Sequence, residues 1–241
     1  MPYDPLHRSV EQTAALDALL ARAAAIGREG VAVLDLDGTL FDTRPRQIAI
    51  FRKYAIQHNF PAALAVREAH FEDWSLSRTL ANAGVPKLEI EAHRAALRRF
   101  WEARFFDGDW LRHDRPMPGA PELTRALSDL GLSLVYLTGR HTEMRAGTER
   151  ALRRGAFAWG QGQHLLVKPR VHDEDTAFKD RALEHIAALG RPTIFLDNEP
   201  ANVNLFHARH PEAMVVFVDT DHSFRPIEPD ASLPRIRGFL R

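Results

Sequence analysis

The sequence contains no cysteine and no excess of charge of either sign. Cysteine is absent from all 241 residues, which excludes disulfides, thiolate metal sites and cysteine nucleophiles. Lys and Arg equal Asp and Glu at 32 each, so the net charge gives no general attraction to nucleic acid or to an anionic membrane. Its chemistry must therefore use oxygen and nitrogen groups, and an anionic partner must be bound locally.

Long apolar runs are also absent. No stretch approaches the roughly 20 apolar residues that are needed to cross a bilayer. The apolar segment "TAALDALLARAAAI" contains Asp17 and Arg22 and lacks the basic leader of a signal peptide. We therefore expect a soluble, cytoplasmic protein that makes no use of membranes.

Four short apolar runs predict buried strands. They are "VAVLD" at 31–35, "LSLVYLTGR" at 132–140, "PTIFLDN" at 192–198 and "AMVVFVDTD" at 213–221. Continuous apolar runs of this length are typical of parallel strands that are buried on both faces. Helical patterns precede them, so the sequence predicts an α/β fold with a doubly wound parallel sheet.

The first two predicted strands are unusually far apart. A βαβ unit takes about 30 residues, whereas Asp35 and Thr138 lie 103 positions apart. The additional residues between the two strands show helical patterns throughout: "RQIAIFRKYAIQHNF", "LAVREAHFEDWSLSRTLANAG" and "KLEIEAHRAALRRFWEARFF". We predict a helical domain at 44–115, inserted into a core formed by residues 1–43 and 116–241. It carries 13 Lys and Arg against nine Asp and Glu, which fits either a solvated surface or a basic lid over an anionic substrate.

Polar residues follow three of the predicted strands. Because ligands of open α/β sheets bind outside the carboxyl ends of the strands, we expect these residues to meet in one crevice. They are Asp35, Asp37, Thr138, Gly139, Asp197 and Asn198. Carboxylates, an amide, a hydroxyl and a nearby lysine together predict a site for a hard cation and a phosphate.

These motifs resemble the haloacid dehalogenase-like superfamily, whose members are mostly Mg²⁺-dependent phosphatases. "DLDGT" at 35–39 matches the first motif, DxDGT, "VYLTGR" at 135–140 resembles the second, and "TIFLDNEPANV" at 193–203 resembles the fourth. The resemblance covers about residues 30 to 220. It implies a Rossmann-like core with an α-helical cap inserted after the first motif.

The resemblance also implies a role for each motif residue. Asp35 is expected to be the nucleophile that forms an aspartyl phosphate, and Asp37 the general acid and base. Thr138 and Gly139 are expected to hold phosphate oxygens. The family places a lysine between the second and fourth motifs, and Lys179, 18 residues before Asp197, is favoured over Lys168.

The same resemblance implies a Mg²⁺ ion. Its expected ligands are Asp35, the backbone carbonyl of Asp37, Asp197 and Asn198, with Asn202 as the alternative to Asn198. The pair Asp197 and Asn198 departs from the commoner form with two acidic residues, and a neutral amide lowers the negative charge of the site.

The sequence therefore predicts a Mg²⁺-dependent phosphatase that hydrolyses a phosphomonoester, with a small phosphorylated metabolite as substrate. A polynucleotide-end phosphatase with the same site is an alternative, suggested by the spacing of Lys179 and by the basic insertion. A non-catalytic, phosphate-binding regulatory module is an alternative of another class.

We interpret Trp74 and Trp101 as core residues of the insertion and Asp42 as part of its hinge. The sequence leaves the oligomeric state open.

Overall fold

The computed structural model describes residues 4–223 and 225–241, so residues 1–3 of the predicted core lie outside the described part of the chain. In chain order the elements are α1 (Val10–Ile26), β1 (Gly30–Leu34), β2 (Phe41–Asp42), α2 (Arg44–Gln57), α3 (Leu76–Asn82), α4 (Lys87–Phe105), β3 (Arg115–Pro116), α5 (Ala120–Asp129), β4 (Ser133–His141), α6 (Arg145–Arg154), β5 (Gln163–Lys168), α7 (Asp175–Leu189), β6 (Arg191–Asp197), α8 (Pro200–Arg209), β7 (Met214–Val218) and β8 (Arg235–Ile236). Among these helices, none combines the length and the apolar character that crossing a lipid bilayer demands.

Six strands form one parallel sheet in the order β5-β4-β1-β6-β7-β8. The four predicted strands are confirmed as β1, β4, β6 and β7, and helices cover both faces of the sheet. The predicted doubly wound, Rossmann-like α/β fold is therefore confirmed. The sequence does not reveal β5 or β8, because β5 is a partly exposed edge strand with polar ends and β8 pairs over two residues only.

Strand β1 is buried on both faces, which explains its continuous apolar sequence. Ala32 and Leu34 belong to the apolar cluster that includes α1, α5 and α6, whereas Val31 and Val33 belong to the cluster that includes α7 and α8. Full burial of a valine or leucine side chain stabilises the fold by about 1.5–3 kcal/mol. The carboxylate of Asp35 thus follows a strand that is held firmly from both sides.

Helices α2, α3 and α4 are inserted between β2 and β3. These two short strands pair in antiparallel fashion and bring the start and the end of the helical segment together. We call residues 44–115 the insertion. It has an apolar core of its own, which includes Phe51, Tyr54, Phe71 and Leu97. The limits of the insertion as a separate domain stay a prediction.

The helix predicted from the second pattern of the insertion, residues 64–84, is wrong over the first half of that segment. Short 3₁₀ turns occupy Pro61–Ala65 and Glu68–His70, and the α-helix begins only at Leu76. The Asp73 carboxylate accepts a hydrogen bond from Ser75 N at 2.7 Å, and Ser75 Oγ accepts one from Arg78 N at 3.2 Å. Such side-chain bonds compete with helix formation, so Trp74 precedes α3 instead of lying on a helix face.

Candidate active site

A cavity of about 220 Å³ opens at the carboxyl ends of β1, β4 and β6. Because β1 pairs in parallel with both β4 and β6, the residues that end these strands lie at the same edge of the sheet. The structure brings all the predicted site residues to this cavity: Asp35, Asp37, Thr138, Gly139, Lys179, Asp197 and Asn198. The two alternatives, Lys168 and Asn202, line it as well.

Lys179 lies between two carboxylates. Its Nζ donates to Asp35 Oδ1 at 2.8 Å and to Asp197 Oδ2 at 2.6 Å, and its side chain is 3% exposed. Burial lowers the pKa of Lys179, but the attraction of Asp197 and Asp35 outweighs this effect and holds the pKa above its ordinary value. Burial also raises the pKa of Asp35 to about 7, against the attraction of Lys179. The single positive charge of Lys179 therefore neutralises the negative charge of the two buried carboxylates only in part.

Lys168 is held by the loop that follows β5. Its Nζ donates to the carbonyl oxygens of Val171 at 3.2 Å and Asp173 at 2.9 Å, and it pairs with the carboxylate of Asp175. These contacts use all three donors of the ammonium group. The structure thus places Lys179, and not Lys168, against Asp35.

Thr138 and Gly139 form the wall of the cavity at the end of β4. Thr138 is buried, and its Oγ1 accepts a hydrogen bond from Arg140 N at 3.3 Å, so the hydroxyl can donate its own proton to a ligand. A Cβ on Gly139 would lie 2.5 Å from Asp175 Oδ2. A glycine is therefore needed for the carboxylate of Asp175 to approach this strand.

The loop after β1 turns sharply at Gly38 and contacts Asn198. Gly38 has a φ of +79°, and its N donates to Phe41 O at 2.9 Å. The Asn198 amide is held at both ends, because Oδ1 accepts from Thr39 Oγ1 at 3.2 Å and Nδ2 donates to the carbonyl of Asp221. A Cβ on Gly38 would lie 2.2 Å from Asn198 Nδ2. The Asp-Gly-Thr sequence thus determines where the Asn198 amide lies.

We expect Gly38→Ala to lower the free energy of unfolding by about 1–3 kcal/mol more than Gly84→Ala does. Gly84 has nearly the same φ, +82°, but nothing lies within 4 Å of its added Cβ. The backbone strain is therefore common to both variants, and the difference reports the contacts of the added Cβ with Asn198 and, at 3.1 Å, with the carbonyl oxygen of Asp221. Urea denaturation of the two variants measures it. Equal losses of unfolding free energy in the two variants would mean that the Asn198 amide moves aside at no cost.

Asp197 has both carboxylate oxygens engaged by donors of the protein. Asn202 Nδ2 lies 3.2 Å from each oxygen, Glu199 N donates to Oδ1 at 2.8 Å, and Lys179 holds Oδ2. Asn202 in turn accepts a hydrogen bond from Thr176 Oγ1 at 3.0 Å. Asn202 therefore positions Asp197, while direct coordination of a metal by Asp197 stays a prediction.

Asp37 belongs to a buried ionic cluster that the sequence does not reveal. Arg140 Nε lies 3.2 Å and Arg46 Nη2 lies 3.1 Å from Asp37 Oδ1. Asp114 binds both arginines, Arg46 Nε at 2.9 Å and Arg140 Nη2 at 2.8 Å. The side chains of both arginines are at most 1% exposed. Two guanidinium groups thus alternate with two carboxylates inside the protein.

This cluster sets the charge of Asp37. Burial raises the pKa of Asp37, but Arg140 and Arg46 outweigh burial and hold the pKa well below its usual range. Burial raises the pKa of Asp114 to about 6, against the attraction of the same arginines. Arg46 lies in the first turn of α2 and Asp114 directly precedes β3. The cluster therefore ties both ends of the insertion to Asp37.

Three further residues test the interpretation of the sequence, one just before the insertion and two within it. Asp42 lies in β2, is buried, and pairs with Arg44 at 2.9 Å and Arg115 at 2.6 Å, so it links the two ends of the insertion, while its role as a hinge stays a prediction. Trp74 is partly buried and packs against the apolar cluster of Trp101 and Phe105, as expected of a core residue, and it also lines the cavity. Trp101 is 8% exposed and packs in the apolar core, as expected.

Comparisons with known proteins agree with this fold. A family model described as a haloacid dehalogenase-like hydrolase matches residues 30–203. Among solved structures, a candidate phosphatase from Clostridium difficile is similar at 14% identity, over 82% of this chain and 88% of that chain, with a TM-score of 0.52. A HAD-superfamily hydrolase of subfamily IA, variant 1, from Geobacter sulfurreducens PCA is similar at 14% identity, over 88% and 93%, with a TM-score of 0.51.

A third structure, Protein Tyrosine Kinase A of Mycobacterium tuberculosis, is 21% identical over 83% of this chain and 95% of that chain, with a TM-score of 0.48. A search among curated proteins gave no significant match. The matched region of the family model extends from β1 into α8 and contains all the predicted site residues that line the cavity. The chain belongs to the haloacid dehalogenase-like hydrolase family.

Proposed function

We propose that the protein is a Mg²⁺-dependent phosphatase that hydrolyses a phosphomonoester through an aspartyl phosphate on Asp35. The observation that carries this proposal is the contact of Lys179 with Asp35 and Asp197 in a cavity that Thr138 and Gly139 also line. A buried cation beside a carboxylate nucleophile, opposite hydroxyl and amide donors, suits a phosphoryl group.

The oxygen donors of the cavity fit Mg²⁺. Among the described residues, no three His, Cys, Asp or Glu side chains converge as metal ligands. Mg²⁺ typically binds one or two carboxylates and keeps several waters. Asp35, the backbone carbonyl of Asp37 and the Asn198 amide would hold it, and the incomplete compensation of Asp35 by Lys179 favours a further cation. When bound, the ion neutralises phosphate charge so that an anionic nucleophile can approach.

In the first proposed step, Asp35 attacks phosphorus. Lys179 occupies Oδ1 of Asp35, so Oδ2 is the oxygen that is available for attack. The new Oδ2–P bond forms as the bond from phosphorus to the ester oxygen breaks, and the leaving oxygen takes the proton of the protonated Asp37 carboxyl. The Thr138 hydroxyl and the Gly139 amide hold oxygens of the phosphoryl group during transfer.

In the second proposed step, water attacks the phosphorus of the aspartyl phosphate. Asp37 takes a proton from this water, and the Oδ2–P bond breaks to release inorganic phosphate and the free Asp35 carboxylate. Arg140 and Arg46 hold the pKa of Asp37 low, so Asp37 is ionised before this step and, once protonated, gives up its proton readily to a leaving oxygen. Protonated by the water, Asp37 then serves as the acid of the next turnover.

A screen of phosphate esters with and without Mg²⁺ tests the proposal. We expect release of inorganic phosphate with Mg²⁺ and its loss after chelation, with recovery when Mg²⁺ is restored. Turnover that persists in excess chelator would contradict Mg²⁺ dependence. Mg²⁺ binding without turnover of any ester would instead favour the non-catalytic, phosphate-binding module.

A further inference from the structure

The walls of the catalytic cavity differ in character between the core and the insertion. The residues of the insertion that line it are Trp74, Phe105 and Phe106, all of them aromatic. Every charged residue that lines it belongs to the core. Of the two interpretations of the positive charge of the insertion, a solvated surface and a basic lid, the lining of this cavity gives the basic lid no support. Arg46, for example, points its charge at Asp37 and Asp114 instead.

The aromatic wall continues into a second cavity inside the insertion. The ring of Trp74 lies 5.3 Å from that of Phe105, and Phe105 stacks on Trp101 at 4.2 Å. Trp74 and Ser223 line both cavities, and Trp101 lines the second. The second cavity has a volume of about 580 Å³ and lies between the start of α3 and one face of α4. The two cavities therefore meet at Trp74.

The second cavity is lined mainly by apolar side chains, with Ser75, Ser77 and Ser223 as its neutral polar residues. Its apolar lining consists of Trp74, Leu76, Leu80, Ile90, Leu97 and Trp101. Two arginines, Arg94 and Arg98, also border it, but both are mostly exposed and pair with Glu91 and Glu102. The positive charges at this cavity are thus already compensated by neighbours on the same helix.

We propose that the leaving group of the substrate is apolar, an alkyl or aryl group that passes Trp74 and fills the second cavity. This inference rests on the proposed phosphatase function, because it assumes that the phosphate lies beside Asp35 and Thr138. Aromatic rings pack well against methylene chains and other rings. A polyhydroxylated or polyphosphorylated leaving group would instead bury more polar groups against these rings than Ser75, Ser77, Ser223 and the indole nitrogen of Trp101 could pair, which is unfavourable.

A series of alkylphosphonates tests this proposal without needing catalysis. Ethyl-, butyl-, hexyl- and octylphosphonate share one head group, and their carbon–phosphorus bond is not hydrolysed. Calorimetric titration of the full chain with Mg²⁺ measures each Kd. We expect Kd to fall by up to about fourfold per methylene, the factor that corresponds to about 0.8 kcal/mol for each buried methylene. A Kd that does not change with chain length would overturn the proposal.

Two variants locate the chain in the second cavity. Leu76→Ala removes part of the apolar lining, so we expect it to weaken octylphosphonate binding severalfold while ethylphosphonate binds as before. Leu88→Ala is the matched control, because Leu88 lies on α4, is 84% exposed and lines neither cavity. A loss of chain-length dependence in both variants, or in neither, would contradict this location.

The same series separates failure of this inference from failure of the proposed function. Phosphonates that bind with the expected trend, together with no hydrolysis of any ester, would contradict the phosphatase and leave the apolar subsite standing. Hydrolysis of glucose 6-phosphate in preference to hexyl phosphate, with no trend among the phosphonates, would support the phosphatase and overturn the apolar leaving group.

Discussion

Replacing Asp35 by asparagine is expected to lower Mg²⁺-dependent phosphate release from an aryl phosphate by at least about 10⁴-fold, because removal of a nucleophile abolishes the covalent route. The amide cannot form the aspartyl phosphate, and Thr138, Gly139 and Lys179 can then only bind the ester. Steady-state release of inorganic phosphate measures the loss. Acid-quenched protein analysed by mass spectrometry should show a phosphoryl group on the native chain and none on Asp35→Asn.

The fold is expected to tolerate this substitution. Asp35 shares the ammonium group of Lys179 with Asp197, so the lysine keeps one buried carboxylate as its partner. Burial raises the pKa of Asp35 to about 7, which shows that its ionised form is costly in the absence of a metal. We therefore expect little change in the free energy of unfolding, and a loss of activity that is due to chemistry.

Asp180→Asn is a suitable control. Asp180 is the neighbour of Lys179 on α7, but its side chain is 35% exposed and pairs with Arg209 at the surface. The control removes a carboxylate from the same helix without touching the cavity, so its turnover should match that of the native chain. Undiminished turnover in Asp35→Asn would refute the covalent mechanism.

The position of the catalytic cavity is predictable from the sequence because it follows from the fold. A residue that directly follows a buried parallel strand lies at the carboxyl edge of the sheet whatever the details of the connecting helices. Asp35 and Asp197 are such residues, and Thr138 lies near the same end of β4. Apolar runs long enough to identify the strands are therefore sufficient to predict that these three residues lie close together. The preference for Lys179 over Lys168 agrees with the observed contacts.

The ionic cluster around Asp37 could not be predicted, because its members are distant in sequence. Arg46, Asp114 and Arg140 meet only after the insertion has folded back onto the core. An arginine in the first turn of a helix usually lies in solvent, so Arg46 gave no signal of burial. Since two guanidinium groups neutralise two carboxylates here, Arg46, Arg140 and Asp114 can be buried while Asp37 stays 17% exposed at the cavity.

The place of Trp74 before α3 and beside the cavities could not be predicted for a different physical reason. The segment around it has helical spacing, which predicts that an aromatic residue packs on the buried face of a helix. Asp73 and Ser75 form local hydrogen bonds that begin α3 only at Leu76. Trp74 consequently lies in the loop before the helix, where its ring borders both cavities. The position of this cavity-lining residue thus depends on local helix capping, which a pattern of hydrophobic spacing does not detect.

Replacing Lys179 by methionine is expected to lower both stability and activity. Methionine matches the length of the lysine chain but leaves Asp35 and Asp197 buried without a cation. Removing one partner of a buried ion pair costs about 3–5 kcal/mol, and the free energy of unfolding from urea denaturation measures this loss. Loss of one positive group beside the transferred phosphoryl is expected to lower kcat by about 10²- to 10³-fold, as removal of an oxyanion donor does.

Lys168→Met is the matched control, because both lysines line the cavity and both are nearly buried. Its carboxylate partner, Asp175, is 46% exposed, so water can solvate that carboxylate once the ammonium is gone. We therefore expect Lys168→Met to lose less stability than Lys179→Met and to retain most of its turnover. Mg²⁺ adds a further distinction, because a cation bound at Asp35 replaces part of the charge of Lys179 but none of that of Lys168. Saturating Mg²⁺ should thus restore stability to Lys179→Met more than to Lys168→Met, and the reverse order would contradict the assignment of Lys179 as the partner of the nucleophile.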